Sequence, residues 1–221
     1  PFEDMDWPNE IITEKQLQEM EGQAELLSTS TDRALFCDYV GPAMFERSWY
    51  LRGLDTFMIE LLTEKDFIHR YLEKILELQL FAYQRILERM GSTLEGFFII
   101  DDVAMQNGPL IAPEIYREMI KPYHKRLFDF IHKAGKIVIY HSCGSVTNLI
   151  PDFIDAGIDA LNPLQLSADN MDPLFLKKEY GKDIVFWGGG VNTQETLAFG
   201  SPEEGRSKVR RTRAGVSDKR Q

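Results

Sequence analysis

The segment KIVIYHSCG, residues 136–144, constrains the fold of this chain more than any other stretch. Its apolar run is too short for a helix, and such runs are typical of buried strands in parallel sheets. His141 and Cys143 follow at the carboxyl end of this strand, and Gly144 turns the chain. Because α/β proteins place their chemistry at the carboxyl ends of strands, the segment predicts a strand that delivers two metal-competent side chains to a site.

Four further segments have the composition of strands, and helical patterns alternate with them from residue 95 onward. They cover residues 34–40, 95–102, 158–162 and 183–187. This alternation predicts an α/β protein with a parallel sheet, either a (β/α)8 barrel or an open doubly wound sheet. No G-x-G-x-x-G motif opens the chain, and polar residues end three different strands, which favours the barrel. A complete barrel takes roughly 250 residues, so we expect an incomplete TIM barrel with about five strands.

Apolar stripes and capping residues predict the helices. We expect the longest helix to begin at Thr63. Another opens at Pro113 and contains Pro122, which should kink it. His124 and His132 belong to that second helix, and we expect them to be packed or exposed helix residues and not ligands.

The chain divides into three regions by composition. We predict a helical lead-in over residues 1–33, the partial barrel over 34–204 and a basic tail over 205–221. The tail holds seven basic residues and one acidic residue of a chain with net charge −10, and the acidic remainder argues against nucleic acid as a partner. Residues 201–204 resemble a helix start, but no apolar stripe follows. We therefore expect no helix there and interpret the tail as non-native or disordered, or else as a basic arm for an anionic partner.

Cysteine content and hydropathy bear on the cellular compartment. Cys37 and Cys143 are the two cysteines of the chain, too few for a disulfide framework, so we expect both to be reduced. We also expect Cys37 to be a core residue. No apolar run of transmembrane length and no signal peptide are visible, which predicts a cytoplasmic protein without a membrane partner.

The pair His141 and Cys143 supplies two of the three protein ligands that a catalytic zinc site needs. Their spacing, just beyond a strand end, allows both side chains to enter one site. The alternative is a buried cysteine beside a hydrogen-bonded histidine. Asp101 and Asp102 end the strand 95–102, where they could complete the site, bind a positive substrate group or cap the following turn.

Six other residues are candidates for substrate binding. The segment 44–52, MFERSWYLR, is either a surface helix with an aromatic anchor or a lid over the strand ends that presents a basic side chain to an anionic ligand. The glycines after the strand 183–187 would allow a ligand to approach the backbone closely. The six candidates are Arg47, Arg52, Gln106, Asn162, Gly189 and Asn192.

Three motifs, in this order, resemble the uroporphyrinogen decarboxylase (URO-D) superfamily. They are IIDDVAMQNGPLIAPEIYREMIKPYHKRL, KIVIYHSCGSVTNLIPDFIDAGIDALNPLQ and DIVFWGGGVNTQETLAFGSPEE. The resemblance covers about residues 34–204. It is closest to the branch of the methylcobamide:coenzyme M methyltransferases and corrinoid-dependent demethylases. It implies a (β/α)8 barrel, in agreement with the strand pattern.

The resemblance also implies a reaction and its cofactors. In that branch the H-x-C pair binds zinc together with a cysteine far downstream. His141 and Cys143 match the pair, and this chain has no later cysteine. The implied reaction moves a methyl group between a corrinoid, carried on a partner protein, and a thiol or similar small-molecule acceptor. Zinc would hold that thiol as a thiolate, with Asp101 and Asp102 as catalytic residues of the same cavity.

Two alternatives stay open at this stage. One is a uroporphyrinogen decarboxylase of porphyrin synthesis, which uses an aspartate and arginines without a metal, so metal content would distinguish it. The other is an inactive, truncated barrel whose exposed sheet edges drive oligomer formation, which sedimentation would test.

Overall fold

The computed structural model describes residues 2–38, 41 and 43–216. Its strands are β1 Phe36–Cys37, β2 Gly96–Ile100, β3 Ala104–Met105, β4 Gly108–Pro109, β5 Ile137–His141, β6 Ala160–Asn162 and β7 Val185–Phe186. A five-stranded parallel sheet has the order β1, β2, β5, β6, β7, and β3 pairs with β4 in a small antiparallel hairpin. The predicted α/β sheet of five parallel strands is confirmed. Residues 39 and 40, which we assigned to the first strand, lie outside the described residues.

Helices connect the strands in the predicted alternation. They are α1 Glu14–Ser30, α2 Phe45–Arg52, α3 Leu54–Thr63, α4 Lys65–Met90, α5 Pro113–Ile115, α6 Lys121–Lys133, α7 Ile150–Ala156, α8 Pro173–Tyr180, α9 Thr196–Phe199 and α10 Pro202–Val216. The predicted start of the longest helix was wrong, because Thr63 ends α3. The backbone of Glu64, with φ −130° and ψ 46°, interrupts the helical path, and α4 begins at the next residue.

The outer face of the central strands is packed against helices. Phe97 and Ile99 on β2 pair in register with Val138 and Tyr140 on β5, and all four side chains are buried. The ring of Tyr83 on α4 lies 4.9 Å from that of Phe97. Phe98 and His141 point to the other face, where they are half-buried. Helices outside and a less covered inner face are the arrangement of a TIM barrel, to which this sheet contributes five strands.

The strand register brings three strand ends to the same level. Ile100 is the partner of His141, and His141 is the partner of Asn162. The residues that follow β2 and β5 therefore leave the sheet side by side. This register assembles the candidate site.

The helix that contains Pro122 is interrupted, although not by a simple kink. A π-helical turn, Tyr116–Ile120, separates α5 from α6, and Pro122 lies in the first turn of α6. Proline is compatible with a first turn because the backbone N–H that it lacks has no intrahelical partner there. The chain therefore accommodates Pro122 by starting a new α-helix.

The expectation that no helix follows Gly205 was wrong, because α10 extends to Val216. Ser201 and Glu204 form a reciprocal cap: the Ser201 N–H donates to Glu204 Oε2 at 2.7 Å, and the Glu204 N–H donates to Ser201 Oγ at 3.3 Å. Arginine, lysine and alanine are good helix formers, so a capped start is enough without an apolar stripe. The interpretation of residues 205–221 as non-native stays a prediction, and residues 217–221 lie outside the described part.

The remaining expectations concern cysteines and membranes. Cys37 is buried in β1, Cys143 is half-buried, and both are in the reduced thiol form, as we expected. None of the helices in the described ranges has both the length and the apolar composition that crossing a bilayer requires.

Candidate metal centre

His141 is held in one orientation by the neighbouring strand. Its Nδ1 lies 2.7 Å from Asn162 Oδ1. Asn162 Nδ2 donates to the Trp187 carbonyl oxygen at 3.2 Å, so the amide oxygen faces the imidazole. Nδ1 therefore carries the proton, and Nε2 presents its lone pair to the site. Asn162, which we expected to bind substrate, is placed as the partner of His141.

Cys143 and Asp102 converge on His141 Nε2. Cys143 Sγ lies 3.5 Å from this nitrogen, and Asp102 Oδ1 lies 3.8 Å from it. The Cys143 N–H donates to Asp102 Oδ1 at 2.7 Å, which ties the two loops together. All three ligand atoms lie within 4.8 Å of one another. We refer to Asp102, His141 and Cys143 as the metal cluster.

The geometry and donor set of the metal cluster fit a zinc ion. Zinc bonds of about 2.0 Å to nitrogen and 2.3 Å to sulfur separate tetrahedral ligand atoms by roughly 3.5 Å. The distances from His141 Nε2 to its two neighbours, 3.5 and 3.8 Å, already approach this value. One nitrogen, one sulfur and one carboxylate oxygen make a ligand set that zinc accepts with a fourth position open.

The electrostatics of the cluster also favour a cation. Burial, together with the negative charges of Asp102 and Glu46, raises the pKa of the Cys143 thiol to about 11. Without a metal the sulfur is therefore protonated at neutral pH. A divalent cation would reverse this balance, because a coordinating thiol is deprotonated outright.

Glu46 also belongs to this site, although it was not among the residues that we predicted from sequence. This buried residue of α2 accepts from the Asp102 N–H at 3.4 Å and from the Tyr50 hydroxyl at 2.9 Å. Burial raises its pKa, and the charges of Asp102 and Asp101 act in the same direction. The one signal available from sequence was the segment 44–52, for which a lid that presents an arginine was one of two open interpretations.

Asp101 is not brought into the metal cluster. Its fully buried carboxylate accepts hydrogen bonds from the N–H groups of Met44, Phe45 and Glu46, at 2.6 to 3.1 Å. His124 Nε2 lies 2.6 Å from the same carboxylate. These contacts cap the amino terminus of α2. They give the Asp101 carboxylate a structural role beside the metal cluster, and its catalytic role stays a prediction.

The two arginines that we predicted to bind substrate lie outside the metal cluster. The Arg52 guanidinium forms an ion pair with Glu60 and lies 4.7 Å above the centre of the Phe67 ring. Arg47 lines a separate cavity beside Tyr71. The structure thus brings neither into the metal cluster, and their part in substrate binding stays a prediction.

The remaining candidates lie in loops near the strand ends. Gln106 Oε1 accepts from Gln165 Nε2 at 3.0 Å and from Gln194 Nε2 at 3.1 Å. Gln165 in turn accepts from the Gly144 N–H at 2.8 Å, so this amide network supports the turn after Cys143.

Local backbone structure explains why residue 189 is a glycine and residue 192 an asparagine. Gly189 has φ +72°, and a Cβ there would lie 2.9 Å from Leu164. Asn192 Oδ1 accepts from the N–H groups of Gln194 and Glu195 at the start of α9. Neither contact joins these two residues to the metal cluster.

Fold and site together define a class: an α/β protein of TIM-barrel type with a metal-competent cluster at its strand ends. Residues 41–221 match the family model for uroporphyrinogen decarboxylase (URO-D), so this chain belongs to that family. This confirms the resemblance that the motifs carried.

Two similar proteins come from Methanosarcina mazei. The chain is 23% identical over 208 residues to a methylated-thiol–coenzyme M methyltransferase, which covers 94% of this chain and 53% of that protein. A solved methyltransferase structure is similar with a TM-score of 0.56 at 14% identity, over 94% of this chain and 69% of that one. The chain thus spans about half the length of the curated relative. The family model establishes the URO-D family, and both similar proteins bear the name of a methyltransferase.

Proposed function

We propose that this protein is a zinc-dependent methyltransferase that moves a methyl group between a corrinoid and a thiol acceptor. The observation that carries the proposal is the metal cluster, in which a nitrogen, a sulfur and a carboxylate oxygen converge at the strand ends. Membership of the URO-D family and similarity to a thiol methyltransferase support an enzyme of this class.

Asp102, His141 and Cys143 would hold the zinc ion. Asp102 would supply the third ligand, which is one of the roles open to it at the strand end, in place of the later cysteine that the resemblance implies. A bound zinc ion would lower the pKa of the acceptor thiol, so that a nucleophilic thiolate forms at neutral pH. The transferred methyl group and its corrinoid would arrive on a partner protein that docks over the strand ends.

The surrounding side chains would orient and shield this centre. Asn162 keeps the proton on His141 Nδ1, so that Nε2 stays free to bind the metal. The Phe98 ring lies 5.8 Å from the His141 ring and 5.8 Å from the Trp187 ring. Phe98 thus gives the imidazole an apolar neighbour, and the exposed Trp187 extends this apolar surface.

Zinc titration of cysteine variants tests the proposal. The wild-type chain should bind about one zinc ion, as zinc sites of this type do. Cys143→Ala should lose tight binding. Cys37→Ala is the matched control, because it removes the other thiol from the far edge of the sheet, and it should bind zinc as the wild type does. A zinc content near zero with His141 and Cys143 intact would contradict the mechanism.

A second assay addresses the reaction itself. Methylcobalamin and a simple thiol are mixed with the zinc-loaded protein, and loss of the methyl–cobalt bond is followed by absorbance. We expect turnover that Cys143→Ala abolishes. Release of carbon dioxide from a porphyrinogen by the metal-free protein would instead establish the decarboxylase alternative.

A further inference from the structure

The loop that carries Cys143 is held in place through its backbone. The four successive N–H groups of residues 142–145 donate hydrogen bonds at 2.7 to 2.9 Å. Two of the acceptors are carbonyl oxygens of the backbone. The other two are side-chain oxygens: Asp102 Oδ1 accepts from the Cys143 N–H, and Gln165 Oε1 accepts from the Gly144 N–H. The position of the Cys143 backbone therefore depends on two side chains, of which Gln165 does not belong to the metal cluster.

The side-chain amide of Gln165 is itself oriented by a neighbour. Gln106 Nε2 donates to the Ser167 carbonyl oxygen, so Gln106 presents its Oε1 as an acceptor. Gln165 Nε2 donates to this oxygen at 3.0 Å. Because the nitrogen of the Gln165 amide faces Gln106, its oxygen faces the Gly144 N–H, at 2.8 Å. The hydrogen bond to the turn after Cys143 is therefore built into a network and does not depend on a freely rotating side chain.

Gly144 is the point at which such support matters most. Its φ is +94°, and a Cβ there would lie 2.5 Å from the Met105 carbonyl oxygen, so the turn requires a glycine. Glycine also has access to many other backbone conformations, and fixing it costs more conformational entropy than fixing any other residue. A hydrogen bond from outside the turn stabilises the one conformation that places Cys143 beside His141.

The segment after β6 supports the two ligands of the H-x-C pair at two points. Asn162 Oδ1 lies 2.7 Å from His141 Nδ1. Three residues later in the NPLQ sequence of residues 162–165, Gln165 bonds to Gly144, which lies three residues after His141. The two contacts thus run in step along neighbouring stretches of chain. Asn162 orients the imidazole directly, whereas Gln165 acts on the thiol through the backbone of the turn.

We propose that Gln165 is a positioning residue of the metal cluster, which holds the turn after Cys143 so that Cys143 Sγ faces the metal ion. The inference rests on the proposed function, because it concerns a sulfur that would bind zinc. Gln165 itself does not bind the ion. It holds the sulfur in place before the ion arrives, and a ligand that is already ordered loses less conformational entropy on binding. Loss of this support should therefore lower metal affinity.

Titration with cobalt(II) tests the proposal, because this ion occupies zinc-type sites and its bond to a thiolate gives a charge-transfer absorption band. The wild-type chain should show the band. Gln165→Met keeps the length of the side chain but removes the acceptor. We expect it to lower cobalt affinity at least about tenfold and to shift or weaken the band. A role in stability alone would leave the band of the folded variant unchanged.

Two further variants make the test specific, and circular dichroism verifies that each is folded. Gln194→Met is the matched control: Gln194 Nε2 donates to the same Gln106 oxygen at 3.1 Å, but the Gly144 N–H donates to Gln165. It should bind cobalt as the wild type does. Gln165→Glu keeps an acceptor oxygen for the Gly144 N–H and should show the wild-type band.

The outcomes separate this inference from the proposed function. Equal bands and affinities in the wild type and Gln165→Met would overturn the positioning role and leave the zinc site standing. An altered band in Gln165→Glu would assign the effect to the bond with Gln106 and would also overturn the proposal. Absence of the band in the wild type would overturn the zinc site itself, and the positioning role with it.

Discussion

Two histidine–aspartate pairs lie next to each other at the end of β2, and they have opposite characters. His124 and Asp101 are fully buried, and the carboxylate is taken up by three backbone N–H groups and the imidazole. His141 and Asp102 are half-buried, and they face each other and a thiol. The residue types are the same in both pairs. The pairs differ in how many hydrogen bonds their polar atoms already make. The Asp101 carboxylate is taken up by the backbone and His124, whereas Asp102 and His141 face a thiol and each other.

The largest expected effect comes from Asp101→Asn. The amide keeps the size of the carboxylate but turns an acceptor into a donor that faces the backbone N–H groups of α2. Breaking a buried charged network of this kind costs about 3–5 kcal/mol of unfolding free energy. Urea denaturation measures it. Asp102→Asn is the matched control and should cost less than about 1 kcal/mol, because that carboxylate is partly solvated. Equal destabilisation by both variants would remove the distinction between the two pairs.

The same two substitutions should affect zinc binding in the reverse order, with Asp102→Asn lowering the affinity more than Asp101→Asn. Asp102→Asn replaces a charged ligand with a weak neutral one, and we expect zinc affinity to fall about 100-fold. Asp101→Asn, studied at a temperature where it remains folded, should change affinity less. Competition with a chromophoric chelator gives both values. Tight zinc binding by Asp102→Asn would show that the third ligand is a different group.

The pattern of apolar residues predicted the architecture because strand and helix periods are local properties. The five parallel strands and the H-x-C pair at a strand end follow from such patterns. The roles of Asp101 and Asp102 could not be separated in this way. Successive strand residues point to opposite faces, but which face is packed depends on α2, α4 and α6. Helix α10 was missed for a related reason: the absence of an apolar stripe says nothing about a well-capped surface helix.

Glu46 shows a second limit of sequence reasoning. It reaches the Asp102 N–H across 56 positions of the chain. No spacing rule links the two residues, because the contact depends on the position of α2 above β2. Asp101 sets that position by capping the helix. The buried pair therefore contributes to the metal centre indirectly, through the helix that carries Glu46.

The dependence of zinc affinity on pH tests the state of Cys143. Its thiol pKa of about 11 means that the metal-free protein holds this proton at neutral pH. Zinc must displace it, so affinity should rise about tenfold per pH unit between about pH 7 and 9. Calorimetry in buffers of different ionisation enthalpy should show about one proton released per zinc ion bound. Cys143→Ser should abolish most of this release, and unchanged release would assign the proton to another group.

The smallest effect that we predict is that of Asn162→Leu. This variant tests whether the half-buried pair depends on a hydrogen-bonded neighbour of its histidine, as the buried pair depends on the backbone N–H groups of α2. Leucine keeps the approximate volume but removes the acceptor that holds the proton on His141 Nδ1. Loss of a hydrogen bond that orients a metal-binding histidine lowers metal affinity about 10-fold. Asn192→Leu is the control for the loss of a loop asparagine, and it should leave zinc affinity unchanged. Asn170→Leu is less suitable, because a leucine at φ 59° would add backbone strain. Unaltered affinity in Asn162→Leu would mean that the strand itself, and not the Asn162 amide, orients the imidazole.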